Sequence, residues 1–210
     1  MSEPVHDETG AAGVSASWKF AQSVLFTGHM IDAADRTAAR FPPRAEGAAR
    51  GGIRESVLRL RDSGGTPMVG VAGGASGGDL LFHEVCAELG VATRLPLALP
   101  VEEFIATSVA PAGEGWVWRF RMLVKRLGSE NVHVMGENDG WRDAATDSVW
   151  SRANLWMIEE AVALAPQRTL LALWDGKSGD GPGGTEHLLS VAPSYGMRVA
   201  PPIPMQSLFE

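Results

Sequence analysis

Short apolar runs alternate along this chain with longer segments whose apolar residues recur at helical spacing. The runs at 23–27, 68–72, 92–99, 131–135, 169–174 and 198–200 have strand length and are bordered by glycine, proline or polar residues, as buried strands are. Pro96, inside the third run, marks an irregular strand end. Between the runs lie the helical segments. Residues 53–61 follow Gly51 and Gly52 and set Ile53, Val57, Leu58 and Leu60 among arginines and a glutamate. Residues 79–89 place Leu81, Phe82, Val85, Cys86 and Leu89 on one face, and Gly90 ends them. A helix over 101–109 starts after Pro100 with Glu102 and Glu103 in its first turn. Residues 114–127 carry Trp116, Phe120, Leu123, Val124 and Leu127 on one side and four basic residues mostly on the other. The segment 149–165 is apolar over most of its circumference, and 185–195 is the last helix. This alternation predicts an α/β fold, a parallel sheet with helices on both faces. Residues 1–17 read as a disordered lead, 136–146 as a polar loop, and 201–210 as a tail that packs on the domain or on a partner.

Ligands of such sheets sit at the carboxyl ends of the strands, and three strand ends here carry chemistry. After the second run, Gly73, Gly74, Gly77 and Gly78 enclose only Ala75 and Ser76, and Asp79 opens a helix. Four glycines in six residues exceed what a tight turn needs. They let backbone N–H groups approach a ligand, phosphate being the usual one, with the helix dipole behind them. The spacing is neither GxGxxG nor GxxxxGK[ST], which disfavours a Walker-type ATPase and an ordinary dinucleotide fingerprint. Asp79 either caps its helix or bonds ribose hydroxyls, and His83, four residues on, is placed to pair with it. Valine at Gly74 or Gly77 is expected to block the ligand and leave the chain folded.

Gly28 and His29 end the first run. His29 contacts a phosphate or ribose, serves as a general base, or bonds a neighbouring loop. Asp32 is a further ligand candidate, or pairs with Arg36 four residues on. The fifth run ends at Trp174 and Asp175 and leads through a glycine-rich loop to Gly183, Gly184 and Thr185. Thr185 caps the last helix, or its hydroxyl and nearby N–H groups hold a phosphate or ribose. Trp174 stacks on a base or packs in the core. Arg152 and Asn154 stand out in an apolar helix and reach either a ligand or a buried hydrogen bond.

Composition narrows the classes. The chain has 210 residues, 45% hydrophobic and 20% charged, with a net charge of −7. Without a basic run, nonspecific nucleic-acid binding is not expected. No apolar run is long enough for a bilayer, so no membrane is expected. The single cysteine, Cys86, excludes an internal disulfide and suits a cytoplasmic protein. Histidines and cysteine show no metal-ligand spacing and the serines no GxSxG elbow, so no metal is expected. The apolar 149–165 helix, with Trp116 and Trp118, offers more apolar surface than one sheet face needs, and a homo-oligomer is expected.

The stretch GGASGGDLLFHE is similar to the GGxxGxD turn of the SLOG superfamily, the DprA/LOG-like Rossmann domains. The likeness extends to the strand end at 27–29 and the loop at 181–186, and spans residues 23–199. It implies a Rossmann-like, doubly wound, mostly parallel sheet in a single domain over 18–200. It also implies a nucleotide or nucleotide-derived ligand, NAD-derived or cyclic, with no separate cofactor. Such domains act as sensors in bacterial conflict and signalling, which implies an effector or signalling protein as partner. The loop also resembles the PGGxGTxxE motif of LOG-type nucleoside 5′-monophosphate phosphoribohydrolases. Gly184 and Thr185 match the motif's Gly-Thr pair, but Leu188 stands where the motif has its glutamate. The alternative to sensing is therefore an N-glycosidase in which Glu84 or Glu186 stabilises an oxocarbenium-like ribosyl cation or activates water. Lacking a clean catalytic carboxylate, the sequence favours binding.

Overall fold

A computed structural model describes residues 18–136, 148–177 and 183–205. The expectations for 1–17, for most of the 136–146 loop, for 178–182 and for the end of the tail lie outside these residues. Strands β1 (Gln22–Gly28), β2 (Met68–Ala72), β3 (Ala92–Leu97), β4 (Val132–Val134), β5 (Gln167–Trp174), β6 (Arg198–Val199) and β7 (Ile203–Pro204) form one sheet. Its order is β4-β3-β2-β1-β5-β6, with β7 beside the end of β5, and every strand pairing is parallel. The parallel α/β sheet with helices on both faces expected from the alternation is thus present, in a Rossmann-like, doubly wound arrangement.

Six α-helices flank the sheet among the described residues: α1 (Glu46–Gly64), α2 (Gly78–Glu88), α3 (Val101–Ser108), α4 (Glu114–Leu127), α5 (Val149–Leu164) and α6 (Thr185–Val191). They divide between the faces because strand side chains alternate. Val24 and Phe26 of β1 point into the core shared with α1, α2, α3 and α4, while Leu25 points to α5 and α6. Phe26 stacks on Phe82 of α2 with ring centroids 4.6 Å apart. Cys86 is buried in the larger core. No helix among the described residues is long and apolar enough to cross a membrane.

Three elements differ from the sequence reading. Helix α1 begins at Glu46 and runs through Gly51 and Gly52 instead of starting after them. Gly52 faces Ile203, and a Cβ there would come within 2.8 Å of the Ile203 Cγ2. The glycine is a packing notch, not a break. The tail supplies β7, which pairs Leu173 with Ile203 and buries Ile203 and Met205. The last helix stops at Val191 and tightens into a 3₁₀ turn, Ala192–Tyr195, at Pro193. Pro96 stays inside β3, where pairing to β2 has already ended at Val71–Arg94, so its missing N–H costs no ladder bond there. Of the two tryptophans held available for assembly, Trp116 is buried with Arg119 stacked 3.9 Å from its ring, while Trp118 is 65% exposed.

Candidate functional site

The chain lays β1 to β4 outward in one direction and then returns to place β5 on the other side of β1. The carboxyl ends of β1 and β5 therefore flank the topological switch point, where open α/β sheets form a crevice. The glycine turn is fixed into this crevice backbone to backbone. A Cβ on Gly78 would lie 2.9 Å from the Cα of Gly28, and one on Gly77, with φ +107°, would lie 2.5 Å from the Ile31 N. The N–H groups of Gly78, Ile31 and Ser76 donate to the carbonyls of His29, Ser76 and Ser108 at 3.0, 2.9 and 2.9 Å. These bonds tie the turn to the segment after β1 and to the end of α3.

Asp79 does not cap α2, whose N-cap is Gly77. Its carboxylate accepts the N–H groups of Ala75 and Gly28. Enclosure by the protein pushes its pKa up to about 7, against the lowering effect of those two bonds. His83 is not its partner. His83 is fully buried, with Nδ1 2.9 Å from the Thr93 hydroxyl and Nε2 facing the carbonyls of Ala72 and Gly73. Burial lowers its pKa to about 4.

Across the crevice, His29 and Asp175 meet. The His29 Nε2 is 2.9 Å from an Asp175 oxygen, and Arg40 donates to both oxygens of the same carboxylate at 3.1 and 3.2 Å. Burial opposes the charge on Asp175, but Arg40, the Lys177 N–H and His29 outweigh it and hold this carboxyl well below the usual carboxylate range. Burial, aided by the Arg40 charge, lowers the pKa of His29. Asp32 accepts the N–H groups of Arg40 and Phe41, each at 3.0 Å, and pairs with Arg36 at 3.3 Å. The Thr27 and Thr185 hydroxyls lie 3.3 Å apart, joining β1 to α6. Asn154 donates to the Gly183 carbonyl at 2.7 Å and to the His187 Nδ1 at 3.2 Å, which seats the loop entering α6.

These groups surround one cavity of about 760 Å³. Gly28, His29, Asp32, Gly73, Ala75, Asp79, Trp174, Gly183, Gly184 and Thr185 all line it, so three loops far apart in sequence meet as expected. Gly74, Ser76, Gly77 and Gly78 shape the turn from behind and do not line the cavity. Gly74 abuts Phe120, and the buried Ser76 hydroxyl has no hydrogen-bond partner among the described residues. Asp175 stands one layer back, holding His29 and Arg40. Arg152 lies off the lining, and Asn154 is on it. Sequence reading passed over Arg40, Phe104, Ser108, Trp150, Ala153 and Met157, which complete the walls. Trp150, Ala153, Asn154 and Met157 follow the i, i+3, i+4, i+7 rule of one helix face, and that spacing was the available signal. Among the described residues, no three or more His, Cys, Asp or Glu side chains gather as metal ligands would.

Neither candidate catalytic carboxylate lines the cavity. Glu186 is exposed at the start of α6. Glu84 accepts from Arg119 at 2.7 and 2.8 Å and from Arg50 at 2.8 Å, clamping α2 to α1 and α4. Burial opposes its charge, but the two arginines hold its pKa below the ordinary value. Glu84→Gln is expected to cost about 1–2 kcal/mol of stability, the scale of weakened charge-assisted bonds, and to leave ligand affinity unchanged. Urea melts beside binding titrations check both halves. A folded variant that no longer binds would return Glu84 to the site. Scans against protein-family models, curated proteins and solved structures find no match.

Proposed function

We propose that this protein binds a nucleotide or nucleotide-derived small molecule, of the NAD-derived or cyclic kind, and acts as a sensor that passes occupancy to a protein partner. The observation that carries the reading is the cavity at the β1–β5 switch point, where the three strand-end loops converge. Its volume of about 760 Å³ falls within the ordinary range of small-molecule sites, about 300–1,000 Å³. Its walls combine the two chemistries a nucleoside asks for. Phe104, Trp150, Met157 and Trp174 offer apolar surface to a base, and Asp79, His29 and Thr185 offer polar groups to a sugar. The glycine turn beside the β1 end is the stretch that carries the SLOG resemblance, from which the nucleotide class is taken. That Glu84 and Glu186 stand away from the cavity supports binding over N-glycosidic hydrolysis by either carboxylate.

The test is a panel of mononucleotides, cyclic mononucleotides, NAD and ADP-ribose. At 100 times its dissociation constant a true ligand stabilises the fold by about 2.7 kcal/mol, a rise in Tm of roughly 5–10 °C for a domain of this size. Chromatography of the same mixtures is expected to show no free base released. No shift with any compound overturns the reading, and release of base replaces the sensor with an enzyme.

A further inference from the structure

The turn that its glycines mark for an anion already holds the side chain of Asp79. Ala75 and Gly28 give their N–H groups to the Asp79 carboxylate. The N–H groups of Ser76 and Gly78 go to the carbonyls of Ser108 and His29. The positive end of the α2 dipole faces Asp79, which lies in the first turn of that helix. A phosphate laid on this turn would have to displace the Asp79 carboxyl or sit against it, and where that carboxyl is ionised the two like charges repel. The rest of the lining offers no positive surplus. Its charged side chains are Asp32, Asp35 and Asp79 against Arg36 and Arg40, and Arg40 is already shared with Asp175.

Ionised, the Asp79 carboxyl only accepts; protonated, it donates one O–H and still accepts, and in both forms it pairs with hydroxyls, which donate and accept. Asp79 lines the cavity from the first turn of α2, with the Ala75 and Gly28 N–H groups beside its carboxyl. Apolar Phe104 and Met157 share that cavity. Two adjacent hydroxyls beside a flat ring match such an arrangement.

Resting on the nucleotide-binding reading above, we propose that the glycine turn receives the 2′ and 3′ hydroxyls of a ribose through Asp79, and that phosphates of the ligand lie outside the turn. The site then selects ribosides, and the sugar, more than the phosphate, determines affinity.

The experiment takes the panel compound with a free 2′,3′ diol that raises the melting temperature most; a cyclic mononucleotide, whose 3′ oxygen is esterified, raising it further than every diol compound overturns the proposal. Calorimetric titration compares it with its 2′,3′-dideoxy form and with the form lacking phosphate. Removing the diol is expected to weaken binding about 10–100-fold, the worth of one or two charge-assisted hydrogen bonds. Removing phosphate is expected to weaken it by less than tenfold. Asp79→Asn in the otherwise natural chain is expected to lose at least tenfold toward the ribose compound and nothing toward the dideoxy one. If that variant does not fold, the dideoxy comparison on the natural protein still decides. Equal affinity for ribose and dideoxy forms overturns the proposal while the nucleotide reading stands. So does a loss of tenfold or more on removing phosphate. No binding by any panel compound removes the nucleotide reading and this proposal together.

Discussion

Replacing Gly77 by alanine is expected to destabilise the fold by roughly 3–5 kcal/mol, the sum of backbone strain and overpacking. Gly77 has φ +107°, a conformation side chains rarely adopt, and its added Cβ would stand 2.5 Å from the Ile31 N and 2.7 Å from the His29 carbonyl oxygen. Both neighbours are backbone, held by the bonds that join the turn to β1, so neither can yield by a rotamer change. Gly176 provides the control. Its φ is +79°, yet nothing among the described residues lies within 4 Å of an added Cβ, so Gly176→Ala is expected to cost only about 1–2 kcal/mol. Urea denaturation of both variants separates strain from collision. Equal midpoints for Gly77→Ala and the natural chain would mean that the turn is not held as described. Gly74 fails for another reason, since its Cβ would meet the Phe120 ring at 2.6 Å. Valine at either position is thus an attack on the fold first, contrary to the expectation that it would only block a ligand.

Asp79→Asn is expected to change the pH dependence of stability more than stability at any one pH. The folded pKa of Asp79 is raised from 3.8 to about 7. A raised pKa gives stability that is complete below the unfolded value and is lost as pH climbs through the folded one. Between pH 5 and pH 8 the natural chain should lose about 2.5 kcal/mol relative to the asparagine variant, at 1.36 kcal/mol per pKa unit. His83 works in the opposite sense. Its folded pKa is depressed from 6.5 to about 4, so its contribution is present above 6.5 and is lost as pH falls toward 4. Both proteins contain His83, so its contribution cancels in the comparison. Denaturation at pH 5, 6.5 and 8 provides the measurement. A difference between the two proteins that stays constant across that range would place Asp79 in an ordinary solvated setting. The proposed sugar contact and this penalty then share one cause, as is common where a binding group is held against its own stability.

Local chemistry was legible in the sequence, and distant contact was not. The strand–helix alternation showed the α/β layers because period and length are written in neighbouring residues. The glycine turn showed itself by composition. Gly52 misled because a glycine that breaks a helix and one that receives Ile203 look alike without Ile203 in view. The two-residue β7 has no period to detect. In the site, Glu84 follows Asp79 by five residues, which at about 100° per residue carries it roughly 140° around α2 and away from the cavity. That rotation delivers it to Arg50 and Arg119. Arg40 and Phe104 come from separate elements and announce no motif, so only the closed fold brings them to one cavity.

The place of β1 in the sheet also sets a timetable. One edge of β1 is taken by β2, whose Met68 pairs with Gln22, but the other edge waits for β5, where Gln22 pairs with Gln167. A ribosome adding about 5–20 residues per second needs roughly 5–20 s to pass from Met68 of β2 to Gln167 of β5. Throughout that time, Val24, Leu25 and Phe26 belong to a half-made sheet with an open, apolar central edge, the form most prone to pair with a stranger. The binding cavity is unfinished for the same period, because Trp174 and Thr185 have not yet been made. A small molecule therefore cannot shelter the nascent chain, and whatever protects that edge during synthesis must act before the site exists.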